Sequence, residues 1–256
     1  LLLGTGGPVA GVIGKKAIHL MEKEDREKVS KATDLWIDIG ASHRAEATAR
    51  IRVGDPGVLA SSVLEFPNGR IVSRSLDNRV GAFVVLEALR LLAGGARPAA
   101  RVTAAATTRE EISGTGGGAR PGAVAVEPEA AIVVDVTHAT DYPGVEKRRH
   151  GEYKLGGGPV IARGAAINPV LVDLLVETAE AEQIPYTLEA APRDTSTDAD
   201  NVFTALKGVA TALVSVPLRY MHSPNEMVML EDLHRTARLL AGFSRRITEK
   251  TDLVPR

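Results

Sequence analysis

Thr107-Thr108-Arg109-Glu110-Glu111-Ile112-Ser113-Gly114 is the stretch on which the reading of the chain turns. Upstream, Val102-Thr103-Ala104-Ala105-Ala106-Thr107-Thr108 is rich in threonine and small residues and predicts a buried strand. Downstream, Gly114-Thr115-Gly116-Gly117-Gly118 predicts a loop. Two adjacent carboxylates therefore stand at the end of an extended segment. Successive side chains on extended backbone point to opposite sides, so Glu110 and Glu111 cannot duplicate one another: one can bind a metal while the other faces a substrate. A solvated acidic turn is the plainer alternative for the pair taken alone.

Three further segments repeat the pattern of an apolar run that delivers a ligand-type residue. Ile71-Val72-Ser73-Arg74-Ser75-Leu76 leads to Asp77, after which Val80 to Ala93 is apolar enough for a buried helix. Ala130-Ala131-Ile132-Val133-Val134 ends at Asp135, with Thr137-His138 just beyond. Thr211-Ala212-Leu213-Val214-Ser215-Val216 runs on to Met221-His222-Ser223-Pro224-Asn225-Glu226. In open α/β sheets, active sites collect where strands end. A set made of Asp77, Glu111, Asp135 and His222 offers oxygen and nitrogen donors without thiolate, which suits zinc, manganese or cobalt.

These motifs, Ser75 to Gly81, Thr108 to Ile112, Val133 to His138 and Tyr220 to Glu226 in that order, resemble those of the M42 family of dinuclear metallo-aminopeptidases. That group includes glutamyl aminopeptidase, the self-assembling tetrahedral aminopeptidases and proteins once labelled endoglucanase M. Pro8 to Gly40 is similar to the family's inserted β domain. The resemblance implies that Asp77 bridges two divalent ions, that Glu111 and His222 complete one site, that Asp135 binds the other, and that Glu110 is the general base for hydrolysis of an N-terminal peptide bond. It implies a non-proline cis peptide after Asp77. It also implies short peptides as substrates and a homo-oligomer, dimers that build a dodecamer. The family carries a further histidine, a ligand to the same ion as Asp135, in a segment ahead of the insertion. This sequence opens at Leu1 inside the insertion, so the expectation is one complete metal site and one short of a histidine. His19, His43 and His138 have no motif support as its replacement.

At 256 residues the chain can bury a large core, and the expected division is a β-rich insertion over 1–72, a catalytic α/β domain over 73–250 and a tail over 251–256. Leu253-Val254-Pro255-Arg256 matches what thrombin cleavage of an engineered tag leaves behind. A formal net charge of -1 gives no electrostatic footprint for nucleic acid or an anionic membrane. There is no cysteine, which excludes disulfides and thiolate metal sites and makes a cytoplasmic protein the default. No apolar run approaches the roughly 18 residues of a membrane span.

The expected architecture is α/β, a mixed sheet flanked by helices. Within the first segment, Ala47 to Val53 and Val58 to Leu64 read as short strands, and Ser42 reads as the cap of a short helix. Asn168-Pro169 reads as a helix start, asparagine as N-cap and proline at the first helical position. Asp198, in the polar loop Arg193 to Asp198, is the candidate substrate contact, with helix capping as its alternative. Two other functions compete: a deacylase built on the same dinuclear site, and a catalytically impaired subunit that lacks one ligand histidine. A glycosidase with two carboxylates leaves Asp77, Asp135 and His222 without a role.

Overall fold

The computed structural model describes residues 1–112 and 117–255. Ser113 to Gly116, the first part of the expected glycine loop at 114–118, and Arg256 lie outside the described residues. The chain divides into two compact units, Leu1–Ala60 and Ser61–Arg256.

The first unit is built from short pieces. Strands β1 (Leu2–Gly4) and β2 (Gly7–Val9) pair antiparallel across a tight turn, and β3 (Val12–Gly14) pairs antiparallel with β4 (Trp36–Asp38). Between the last two lies a charged segment, Glu22 to Lys31, which holds one exposed turn of helix, α1 (Lys23–Arg26). Arg44–Arg50 is a helix, α2, where a strand was expected over 47–53. Its start explains the difference: His43 Nδ1 accepts from the Glu46 N–H while the Glu46 carboxylate accepts from the Ser42 N–H. This reciprocal cap, set by His43 rather than Ser42, favours the helix over an extended run.

The second unit holds the large sheet. Its elements are β5 (Leu64–Phe66), β6 (Arg70–Ser73), α3 (Leu76–Ala93), α4 (Ala119–Val126), β7 (Ala130–His138), α5 (Lys147–His150) and β8 (Val160–Gly164). These are followed by α6 (Pro169–Ala181), β9 (Thr187–Ala191), α7 (Ala199–Val202), β10 (Ala210–Leu218), β11 (Glu226–Met229) and α8 (Leu230–Arg246). The order β7-β10-β8-β9 joins parallel pairs at both ends through an antiparallel pair in the middle, so the sheet is mixed, as expected. A second, antiparallel sheet runs β11-β6-β5. The strands at 64–66 and 70–73, grouped by sequence with the first segment, are thus paired with β11 of the larger unit.

Alternation on β7 and β10 separates two faces. Val134 and Val136, beside Val214 and Val216 in register, join the main core with Val84 of α3, Leu171 and Leu175 of α6 and Leu239 of α8. Ala131 and Val133 lie on the opposite side with Ala123 of α4 and Val202 of α7. Helices therefore cover both faces, and odd-numbered residues of β7, Asp135 and Thr137 among them, share the second face. The start of α6 is fixed as expected: the Asn168 carboxamide oxygen accepts from the N–H groups of Val170 and Leu171, with Pro169 at the first position.

Two expected strands are absent, and among the described residues no strand spans 58–63. Residues 102–108 form no strand among the described residues, and most of the run is exposed. Alanine and threonine bring little apolar surface, and no described strand pairs with the run to hold it in a ladder.

Candidate metal centre

Asp77 sits at the head of α3 on backbone that is not yet helical, φ −75° and ψ 111°, and the Asp77–Asn78 peptide is cis, as expected. Asn78 anchors this junction: its Nδ2 donates to the Val134 carbonyl at 2.8 Å, and its Oδ1 accepts from the Gly81 N–H at 2.8 Å. A side chain at Gly81 would collide with that amide, which accounts for a glycine one turn into the helix. The Asp77 carboxylate is 8 % exposed, and its position relative to β7 is set through Val134, the residue before Asp135.

Glu110 and Glu111 lie on a single 3-10 turn, Glu110–Ile112, entered through Arg109 at φ 67°. His222 lies in the tight loop after β10, with φ 60° at His222 and 62° at Tyr220. Arg219 and Met227 close that loop by exchanging backbone hydrogen bonds of 2.9 and 3.1 Å. Below it, the Arg219 guanidinium grips Asp141 in a two-pronged ion pair at 2.8 Å. The loop is thereby fixed to the segment that follows β7.

Three of the four ligands expected from sequence converge. His222 Nε2 is 3.3 Å from Asp77 Oδ2 and 3.4 Å from Glu111 Oε2. One ligand atom from each of Asp77, Glu111 and His222 lies within 4.8 Å of the others. Asp135 stands outside this group of three, buried on β7, with its Oδ1 accepting from the Val136 N–H. Its carboxyl is raised to about 7, by burial first and then by the charges of Asp77, Glu110 and Asp198. Asp77 is likewise raised to about 7, by burial and then by Glu111 and Glu226. Burial also pushes Glu110 up, reinforced by Glu111 and Asp198. Asp77, Glu110 and Asp135 thus each lie where a carboxylate does not ionise easily; a divalent cation answers that excess of negative charge. Two carboxylates and an imidazole also match the donor preferences of zinc or cobalt, so the residues fit the group.

Asp198 precedes α7 but its side chain does not cap it; Thr197 Oγ1 accepts from the Ala199 N–H instead. Asp198 is 8 % exposed, accepts from Thr107 Oγ1 at 2.6 Å through Oδ2, and its buried Oδ1 has no partner among the described residues. Of the other histidines, His138 does not join the three, and His43 caps α2.

Sequence reasoning missed Glu226. It is 3 % exposed and divides its two oxygens between the ligand segments: Oε1 accepts from the His222 N–H at 2.9 Å, Oε2 from the Asp77 N–H at 3.1 Å. The signal was a glutamate opening the apolar strand Glu226-Met227-Val228-Met229, where a charge needs a reason to be buried.

The model of the M42 glutamyl aminopeptidase family matches residues 2–239, which carry every one of these side chains. The chain belongs to this family. Among M42 relatives, the lysyl aminopeptidase of Pyrococcus furiosus is 35 % identical over 231 residues, covering 90 % of this chain and 64 % of its own length. The chain thus spans a little under two thirds of that relative. The TET aminopeptidase of the marine sediment archaeon Thaumarchaeota archaeon SCGC AB-539-E09 superposes with a TM-score of 0.89 at 31 % identity, over 97 % of this chain and 70 % of that one. The TET1 peptidase of Pyrococcus horikoshii, described as able to assemble into a tetrahedron or a large octahedral shell, gives 0.80 at 26 % identity, over 96 % and 71 %.

Proposed function

We propose that this chain carries out metal-dependent aminopeptidase chemistry, releasing the N-terminal residue of short peptides. The observation that carries the reading is the convergence of Asp77, Glu111 and His222 from three separate segments onto one point. In this reading Glu111 and His222 would hold one divalent ion, Asp135 a second and Asp77 both, the ions being zinc, cobalt or manganese. When bound, the ions supply Lewis-acid polarisation of the scissile carbonyl and ready ionisation of water at neutral pH.

The remaining work falls to the chain's own carboxylates. Glu110, adjacent to Glu111 and itself outside the group of three, is the general base: it takes a proton from the attacking water and returns it to the leaving amine. Burial raises its pKa, the direction that suits a carboxylate which must take up a proton before passing it on. Asp198, with one buried oxygen unpartnered among the described residues, receives the free α-ammonium of the substrate. That charge pair completes the hydrogen bonding of an otherwise unsatisfied atom, and it favours a free amine over the acylated one a deacylase would need.

A homo-oligomer belongs to the same reading. It is supported by the assembly of the Pyrococcus horikoshii relative and by the apolar surface that β3 and β4 leave exposed at Val12, Ile13, Trp36 and Ile37. Sedimentation velocity showing only monomer contradicts it. The activity itself is tested with leucyl-p-nitroanilide, the protein stripped with chelator and then reloaded with cobalt or zinc. Turnover that depends on the ion supports the proposal; turnover indifferent to chelator, or none on reloading, contradicts it.

A further inference from the structure

On the same face of the sheet as Asp135 lies a cavity of about 180 Å³, lined among others by Thr137, Ala162, Glu189, Asp194, Leu213 and Ser215. A dry cavity of about 150 Å³ takes up benzene, so this one has room for a side chain. Its walls are polar and its charges are of one sign. Glu189 and Asp194 bear carboxylates, and among the described residues no lysine or arginine lines it. Among the described residues the only partner of the Glu189 carboxylate is Thr137 Oγ1, at 3.0 Å. Ser215, 2 % exposed and paired in register with Asp135, lines the same space and makes no side-chain hydrogen bond among the described residues. The Ser215 hydroxyl and the Glu189 carboxylate thus line one recess that offers acceptors and negative charge to a cationic donor.

Position ties the cavity to the chemistry. Asp135 and Thr137 are two residues apart on β7, so they point to the same side about 6.7 Å apart. The flexible four-carbon stem of lysine covers a similar distance.

We infer that this cavity receives the cationic side chain of the substrate's first residue, a lysine-type ammonium held by Glu189, Thr137 and Ser215. The inference rests on the aminopeptidase reading above and narrows it. It separates this chain from the glutamyl preference in the family's description, because an acidic side chain would meet two carboxylates of like charge.

The test measures kcat/KM of the metal-loaded protein on lysyl-, norleucyl- and glutamyl-p-nitroanilide, for the wild type and Glu189→Gln. Glutamine still accepts the Thr137 hydrogen bond, so the substitution removes charge and little else. The wild type is expected to favour lysyl over norleucyl and to turn over glutamyl least, and the lysyl-to-norleucyl ratio is expected to fall roughly 10- to 100-fold in Glu189→Gln. A glutamyl preference, or an unchanged ratio, overturns the proposal. If no anilide is hydrolysed, the aminopeptidase reading fails, and the cavity is judged on binding alone, by calorimetry with L-lysinamide and L-norleucinamide. Tighter binding of lysinamide by the wild type supports it even if the variant does not fold. Equal binding of the two, or none, overturns it.

Discussion

His222 Nε2 lies 3.3 Å from Asp77 Oδ2, although one residue is on a loop after β10 and the other at the head of α3. Their backbones are held in this relation by one buried carboxylate, Glu226, which accepts from both N–H groups. In Glu226→Gln one acceptor becomes an NH2 that faces an N–H, so one of the two segments is released. Metal affinity is expected to fall roughly 10- to 100-fold, as when outer partners of metal ligands are lost. Calorimetric titration with zinc measures this, and an unchanged affinity contradicts the role given to Glu226.

Glu110 takes no part in the convergence of Asp77, Glu111 and His222, so its loss should separate chemistry from metal binding. Glu110→Gln is expected to lower kcat by roughly 100- to 10,000-fold while metal content per chain stays that of the wild type. Elemental analysis beside steady-state kinetics checks both halves of the statement.

Asp198→Asn keeps an acceptor for Thr107 and removes the charge offered to the substrate amine. The expected result is a KM raised roughly 10- to 100-fold, the range for losing a charged hydrogen bond. Helix content should not change, because the Asp198 side chain does not cap α7. A loss of thermal stability with unchanged KM would assign it a structural role instead.

The ion pair beneath the His222 loop gives a pH dependence of defined sign. Burial alone would raise the Asp141 carboxyl, but the Arg219 guanidinium and the Leu155 N–H overcome burial and hold it below the usual range. A carboxyl whose folded pKa is depressed contributes stability that is complete above its unfolded value and is lost as pH falls through the folded one. Asp141→Asn should therefore be less stable than the wild type by about 1–3 kcal/mol at neutral pH. The gap should close below about pH 4, the unfolded range of aspartate. Denaturant melts across the acid range show whether the two curves converge.

The parts of the fold that were legible in sequence are those where pattern and packing agree. β7 and β10 are unbroken runs of β-branched and small apolar residues, and α6 opens on Asn168-Pro169, whose cap chemistry is local. Residues 102–108 misled because threonine and alanine fit a strand without specifying a partner, and the Ala47 to Arg50 segment misled because its reciprocal cap at His43 and Glu46 outweighed an alternating pattern. In the site, Asp77, Glu111 and His222 stood out as ligand-type residues beside apolar runs. Glu226 did not, since its role is to bind two backbone N–H groups that become neighbours only in the folded chain. Nor did Glu189, whose sequence neighbours Leu188 and Ala190 carry no motif and whose cavity is assembled from separate strands.

Whether Asp77, Glu111 and His222 hold a divalent ion is decided by metal content per chain after exhaustive dialysis, on the wild type and on Glu111→Ala prepared alike. The expectation is at least one tightly held ion per wild-type chain and a clear loss in Glu111→Ala. A wild type that retains none when dialysed from zinc or cobalt, or a Glu111→Ala chain that retains as much as the wild type, would contradict it.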